Sequence, residues 1–193
     1  MPRPATYNID TVLDRATTLF WQKGFDGTSM HELVTVTGMN KHSMYAKFGS
    51  KEGLYNATLE RYEQMTRRAV LTTLKDETKG MAAISAFLHV VPRYIAQPGF
   101  KGCMMVNSTL AQAFMGQASQ SKTREFFGKL KSRLTACLGH AQQQGDIPAH
   151  KNCDDLADFL LHMNAGLMVM GKVHKSPQMA EKQVEIALVA LKN

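Results

Sequence analysis

From Ile9 onward, apolar side chains recur three and four positions apart along nearly the whole chain. Ile9, Val12, Leu13, Ala16, Leu19 and Phe20 form one such set, and residues so spaced share one face of a 3.6-residue helical turn. Asn8 is placed to cap this helix and Gly24 to end it in a left-handed conformation. A second start follows at Thr28-Ser29, with Glu32 three residues after Ser29 in the pattern of a capping box. Gly38 stops that helix early. Asn40 then caps a third piece, Lys41 to Phe48, closed by Gly49-Ser50, and a fourth helix with Leu54, Ala57, Leu59, Tyr62 and Met65 is predicted to reach about Leu74.

Past Lys79-Gly80, the residues Met81, Ile84, Phe87, Leu88, Val91 and Ile95 predict one fifth helix, stopped at Pro98-Gly99. Met104 to Met115 and Thr123 to Gln144 predict two more, followed by a loop at Gly145-Asp-Ile-Pro148. Leu156, Phe159, Leu160, Met163, Leu167 and Met170 make the next stripe. Pro177 precedes the last one, with Ala180, Val184, Ala187, Leu188 and Leu191 on one side. No alternating strand pattern persists anywhere. The chain is therefore expected to be all-α, with about nine helices: an N-terminal three-helix helix-turn-helix domain (1–52) and a C-terminal helical bundle (53–193).

Composition narrows the class. Of 193 residues, 44% are hydrophobic and 20% charged, which excludes a disordered chain. No apolar run approaches the roughly 18 residues needed to span a bilayer. The opening Met1-Pro-Arg-Pro-Ala-Thr-Tyr has no apolar core of a secretory signal. Cys103, Cys137 and Cys153 are too few and too scattered for a disulfide framework or a zinc ribbon. A cytoplasmic protein is expected, with no membrane partner.

The formal charge is +7, from 23 Lys and Arg against 16 Asp and Glu. It is spread evenly: residues 1–75 hold 10 basic and 7 acidic side chains, and residues 76–193 hold 13 and 9. The excess is sharp at one place only. Between Asn40 and Lys51 lie Lys41, Lys47 and Lys51 with no acid. That stretch coincides with the third helix of a short helix, tight turn, short helix arrangement, whose dimensions suit entry into the major groove of DNA. Lys41, His42, Ser43 and Lys47 are donors on its outward face, while Met44 and Phe48, four apart, anchor it. Tyr45 offers a hydroxyl to a phosphate. Thr28, Ser29, Asn40 and Lys51 sit at helix starts, where unpaired N–H groups and the positive dipole end attract phosphates.

The string Gly24-Phe-Asp-Gly-Thr-Ser-Met followed by Gly38-Met-Asn-Lys-His-Ser-Met-Tyr-Ala-Lys-Phe-Gly-Ser-Lys-Glu-Gly-Leu-Tyr resembles the N-terminal domain of TetR-type transcriptional regulators. The likeness covers about the first 60 residues. Gly102-Cys-Met-Met-Val-Asn107 and the Gly145 loop are also similar to stretches in part of that family. The resemblance implies a homodimer on a palindromic double-stranded DNA operator, joined through the last two helices. It also implies a variable C-terminal domain that binds an inducer, and it favours a repressor. Lys41, His42, Ser43 and Tyr45 would then face the groove, with Tyr45 and Lys51 on phosphates. His42 stands where the family often has glycine, and Val34 and Thr37 where it often has alanine.

The regulatory half is less explicit. Phe87, Tyr94, Cys103, Met104, Phe114 and Met163 are the candidate lining of an adaptable apolar pocket for a small-molecule inducer. Cys103, directly after Lys101-Gly102 at a helix start, is the candidate for modification by a reactive electrophile or oxidant. Other classes have less behind them. No zinc-protease pair, GxSxG, phosphate loop or dinucleotide fingerprint is present, so neither an enzyme, a cofactor nor a metal ligand set is expected. The alternatives are a helical small-molecule-binding protein without sequence-specific DNA function, and a soft-metal sensor built on Cys103, Met104 and Met105.

Overall fold

The computed structural model describes residues 7–67, 70–111 and 116–193. In order the helices are α1 (Ile9–Lys23), α2 (Met30–Thr37), α3 (Lys41–Phe48), α4 (Lys51–Arg67), α5 (Met81–Leu88), α6 (Val90–Ile95), α7 (Met104–Leu110), α8 (Gln117–Gln143), α9 (Cys153–His174) and α10 (Pro177–Lys192). A single 3-10 turn, Glu77–Lys79, precedes α5. Among the described residues there is no strand. The chain is all-α, as the periodicity predicts.

Two compact units emerge. The first takes residues up to Met65 together with Asn107–Thr123, and the second takes Thr66–Val106 with Arg124–Asn193. In the first unit, Val12, Ala16 and Phe20 of α1, Leu33 of α2, Met44 of α3 and Leu54 and Leu59 of α4 are buried together. Tyr55 sits edge-on to Phe20 at 5.0 Å and to Phe25 at 5.2 Å, contacts that stabilise by about 0.5–1.5 kcal/mol beyond the area they bury. Arg61 forks onto Asp14 with bonds of 2.7 and 3.1 Å and reaches Asp10 at 3.2 Å, tying α4 to α1. A polar seam runs along α4: Tyr55 bonds Ser108 at 2.6 Å, Asn56 accepts from Ser119 at 2.7 Å, and Glu60 pairs with Lys122.

In the second unit, Ile84, Phe87, Leu88, Val91, Leu134, Leu138, Leu160, Val184 and Leu191 form the core. Gly171 marks a close approach of α9 to α6. A Cβ there would stand 2.7 Å from the Ile95 side chain, so only glycine fits without displacement.

Four boundaries differ from the sequence expectation, the first being α7, which stops at Leu110 with a turn at Ala111 where Met115 is expected, a residue outside the described ones. The single helix expected from Met81 to Ile95 is broken at His89, because Pro92 has no N–H for the Leu88 carbonyl and its ring crowds that carbonyl. Counted as one, α5 and α6 bring the described helices to nine. Next, the helix expected to reach about Leu74 does not, since Val70 to Leu74 are turns; α4 is described to Arg67. Finally, α8 begins at Gln117 rather than Thr123: its first turn is polar, and Ser119 and Thr123 are buried there as hydrogen-bonded residues without an apolar signal.

Candidate nucleic-acid interface

The local chemistry of α2 and α3 fixes how α3 is presented. Ser29 caps α2, its hydroxyl oxygen accepting from the Glu32 N–H, while the Glu32 carboxylate accepts from the Ser29 N–H at 2.9 Å. The Lys23 ammonium and these bonds hold the Glu32 carboxyl down to about 2. Gly38 ends α2 in the left-handed region (φ 71°), and its N–H bonds the Val34 carbonyl at 2.9 Å. That conformation strains any residue with a Cβ. Two residues later, Asn40 caps α3 by accepting from the Ser43 N–H at 2.8 Å.

On α3 the buried side is Met44, 1% exposed, with Phe48 half-buried beside it. At about 100° per residue, the opposite side centres on His42, Ser43 and Ala46, flanked by Tyr45 and Lys47. Lys41, His42, Tyr45, Ala46 and Lys47 are exposed and Ser43 is partly so. The Lys41 ammonium lies 5.9 Å from the Tyr45 ring centre. Lys51, in the first turn of α4, places its ammonium 4.3 Å over the Phe25 ring, which holds the long side chain extended at a helix start.

The structure therefore brings Asn40, Lys41, His42, Ser43, Tyr45 and Lys47 onto one short helix and its cap. Ser29 is exposed at the start of α2, but its hydroxyl is engaged with Glu32. Thr28 lies inside: it is 1% exposed and its hydroxyl donates to the Gly24 carbonyl at 2.7 Å. Two contributors escaped the sequence analysis. Tyr7 accepts from the Asn40 side-chain amide at 3.0 Å and so braces the start of α3; a lone tyrosine ahead of a cap carries no spacing signal. Phe25, which supports Lys51, lies in a loop outside any periodic stripe.

The candidate pocket residues are less gathered. Phe87 and Met104 are buried at 2% and 1% exposure, and Cys103 is buried immediately before α7. Tyr94 is half-buried, and burial, with the Cys103 sulfur as a lesser cause, pushes its hydroxyl up. Phe114 lies outside the described residues. Only Met163 lines the groove of about 310 Å³ in the second unit, along with Ile95, Leu167, Met170, His174 and Met179. Tertiary packing puts Phe87 and Met104 into the core, and periodicity cannot separate core from pocket.

Comparison with known proteins decides the class. Residues 12–58 match the bacterial regulatory proteins of the tetR family, and residues 80–187 match the tetracyclin repressor-like C-terminal domain. The chain is 31% identical over 194 residues to the HTH-type transcriptional repressor ComR of Escherichia coli K12, covering 98% of this chain and 90% of ComR. This chain belongs to the TetR family. It is a DNA-binding transcriptional regulator. Other TetR-family likenesses agree: BdcR, an HTH-type transcriptional repressor of the same E. coli strain, is 32% identical over 105 residues, 54% of this chain and 53% of BdcR. The regulator CifR, solved with a 26-base-pair operator duplex, superposes with a TM-score of 0.81 at 26% identity, over 98% of this chain and 99% of CifR. Among the described residues, no helix of this TetR-family protein is long and apolar enough to cross a membrane.

Proposed function

We propose that this regulator is a repressor that binds a palindromic operator as a homodimer, one α3 in each of two major-groove half-sites. The observation that carries the reading is the α3 surface: polar and cationic side chains fill its outward face while Met44 locks the inward one. On that helix His42 and Ser43 are the base readers, because they occupy the centre of the outward face. Tyr45, Lys47 and Lys51 are the phosphate contacts, with Lys41 beside Tyr45. Beyond the capping residues Asn40 and Ser29, the first-turn N–H groups of α3 and α2 add to the pull on phosphate. ComR and BdcR, both repressors by name, support the sign of regulation.

The dimer forms through α9 and α10. Phe159 and Val173 on α9 and Ile186 and Val189 on α10 are exposed at 46% or more, an apolar surface whose natural partner is its own copy. A two-fold pair would set the recognition helices about one DNA turn, roughly 34–36 Å, apart. Release from DNA is by a small, largely apolar molecule that enters the groove beside Met163 and Met170. The burial of Cys103 makes thiol modification the second route, open only to a reagent that reaches the interior.

Selection of bound duplexes from a random-sequence pool tests the reading. A two-fold symmetric motif is expected. Binding that enriches no sequence and only weakens with salt overturns it, since counterion release alone produces that behaviour.

A further inference from the structure

We propose that His89, Glu181 and Glu185 form a binding site for a divalent cation of the zinc class. His89 lies at the break between α5 and α6 that Pro92 imposes, and Glu181 and Glu185 are one turn apart on α10. These residues are some ninety positions apart in sequence, so no spacing motif announces them. The imidazole is oriented from behind: Nδ1 is 2.7 Å from the Ser85 carbonyl oxygen. A carbonyl only accepts, so Nδ1 carries a proton there and Nε2 is the ring atom left free to take a metal on the other side. Nε2 faces Glu181 Oε1 at 3.2 Å and Glu185 Oε1 at 3.2 Å.

Three electron-rich atoms thus converge, all within 4.8 Å of one another. A metal ion at their centre would take the place of the proton that Nε2 can share with the carboxylates. The two nitrogen-to-oxygen distances fit one: ligands about 2.0–2.1 Å from a tetrahedral zinc are separated from each other by roughly 3.3 Å. One nitrogen and two carboxylate oxygens suit zinc, whereas Cu(I) prefers thiolate or thioether and calcium and magnesium prefer oxygen alone. A backbone carbonyl holding the far nitrogen of a ligating histidine is the usual outer support of such sites. The three side chains are 20%, 48% and 60% exposed, which leaves a path for the ion and room for water as the fourth ligand. Occupancy would clamp α10 to the α5–α6 junction within the second unit. The site does not depend on the proposed operator or dimer.

The test is zinc competition between the full-length protein and a chromophoric chelator, comparing wild type with Glu181→Gln/Glu185→Gln and with His89→Gln. Glutamine keeps the side-chain size, and the two glutamates sit on an exposed helix face, so folding is preserved in the double variant. The wild type should hold about one zinc per chain that each variant holds roughly tenfold or more weakly. Zinc should also raise the melting temperature of wild type and leave that of the double variant unchanged. Zinc bound at cysteines or other histidines persists equally in all three proteins and cancels in the comparison. Equal uptake by wild type and double variant, or no uptake by wild type, overturns the proposal.

Discussion

Two of the molecule's short amphipathic surfaces, α3 and α10, are built alike and turn opposite chemistry outward. Each is capped by a polar side chain, Asn40 on α3 and Ser176 on α10, and each buries one face. Outward, α3 shows Lys41, His42, Tyr45 and Lys47, whereas α10 shows Met179, Ile186 and Val189. A polar face of particular donors is written in residue identity. An apolar face is written only in what fails to be covered, and that is visible once the fold is known.

The largest expected effect lies on the apolar side. Ile186→Glu with Val189→Glu should leave a folded monomer by light scattering and weaken operator binding by at least about a hundredfold, since two linked half-sites gain on that order over one. A dimer that survives both charges would move the interface elsewhere. On the polar side the effects are smaller and differ in kind. His42→Ala should cost about 1–3 kcal/mol of discrimination at one base-pair position while leaving non-specific binding unchanged. Equal loss on every sequence would remove His42 as a base reader. Lys51→Ala should weaken every sequence alike and lower the slope of log affinity against log salt by roughly 0.9 per subunit. An unchanged slope would take Lys51 off the phosphate.

What could be read from the chain follows the same division. The caps at Asn8, Ser29 and Asn40 are local chemistry, and all three form the bonds that caps require; Ser176 caps α10 as well, where the sequence offered only Pro177. The α3 face was legible because Met44 and Phe48 mark the inward side and the donors around them have no other role in a helix this short. Thr28 was not legible: hydroxyls before a helix look the same whether they point to solvent or, as here, back to the Gly24 carbonyl. The Pro92 break was written in the sequence, but the apolar stripe on either side of it masks the missing N–H. Phe87 and Met104 are hydrophobic at helical spacing in any case, and only packing places them in the core. His89 with Glu181 and Glu185 is the extreme case, a cluster made wholly by tertiary structure.

The smallest effect concerns the support beneath α3. The Glu32 carboxyl is held at about 2, against 4.5 for an ordinary glutamate, first by the Lys23 ammonium and then by the Ser29 N–H and hydroxyl. A carboxylate depressed in the folded state contributes stability that is fully present above its unfolded value of 4.5. That contribution is lost as pH falls from 4.5 toward about 2. Glu32→Gln keeps an acceptor for the Ser29 N–H but removes the charge, so the variant should melt slightly below wild type at neutral pH. The gap should narrow as pH is lowered from about 6 toward about 2, because below 4.5 the unfolded wild type binds a proton that the folded carboxylate resists until about 2. A gap that stays constant would assign the stabilisation to the neutral cap alone. In that case α2 would share with α10 a cap that owes nothing to charge, and the two helices would differ only in the faces they turn outward.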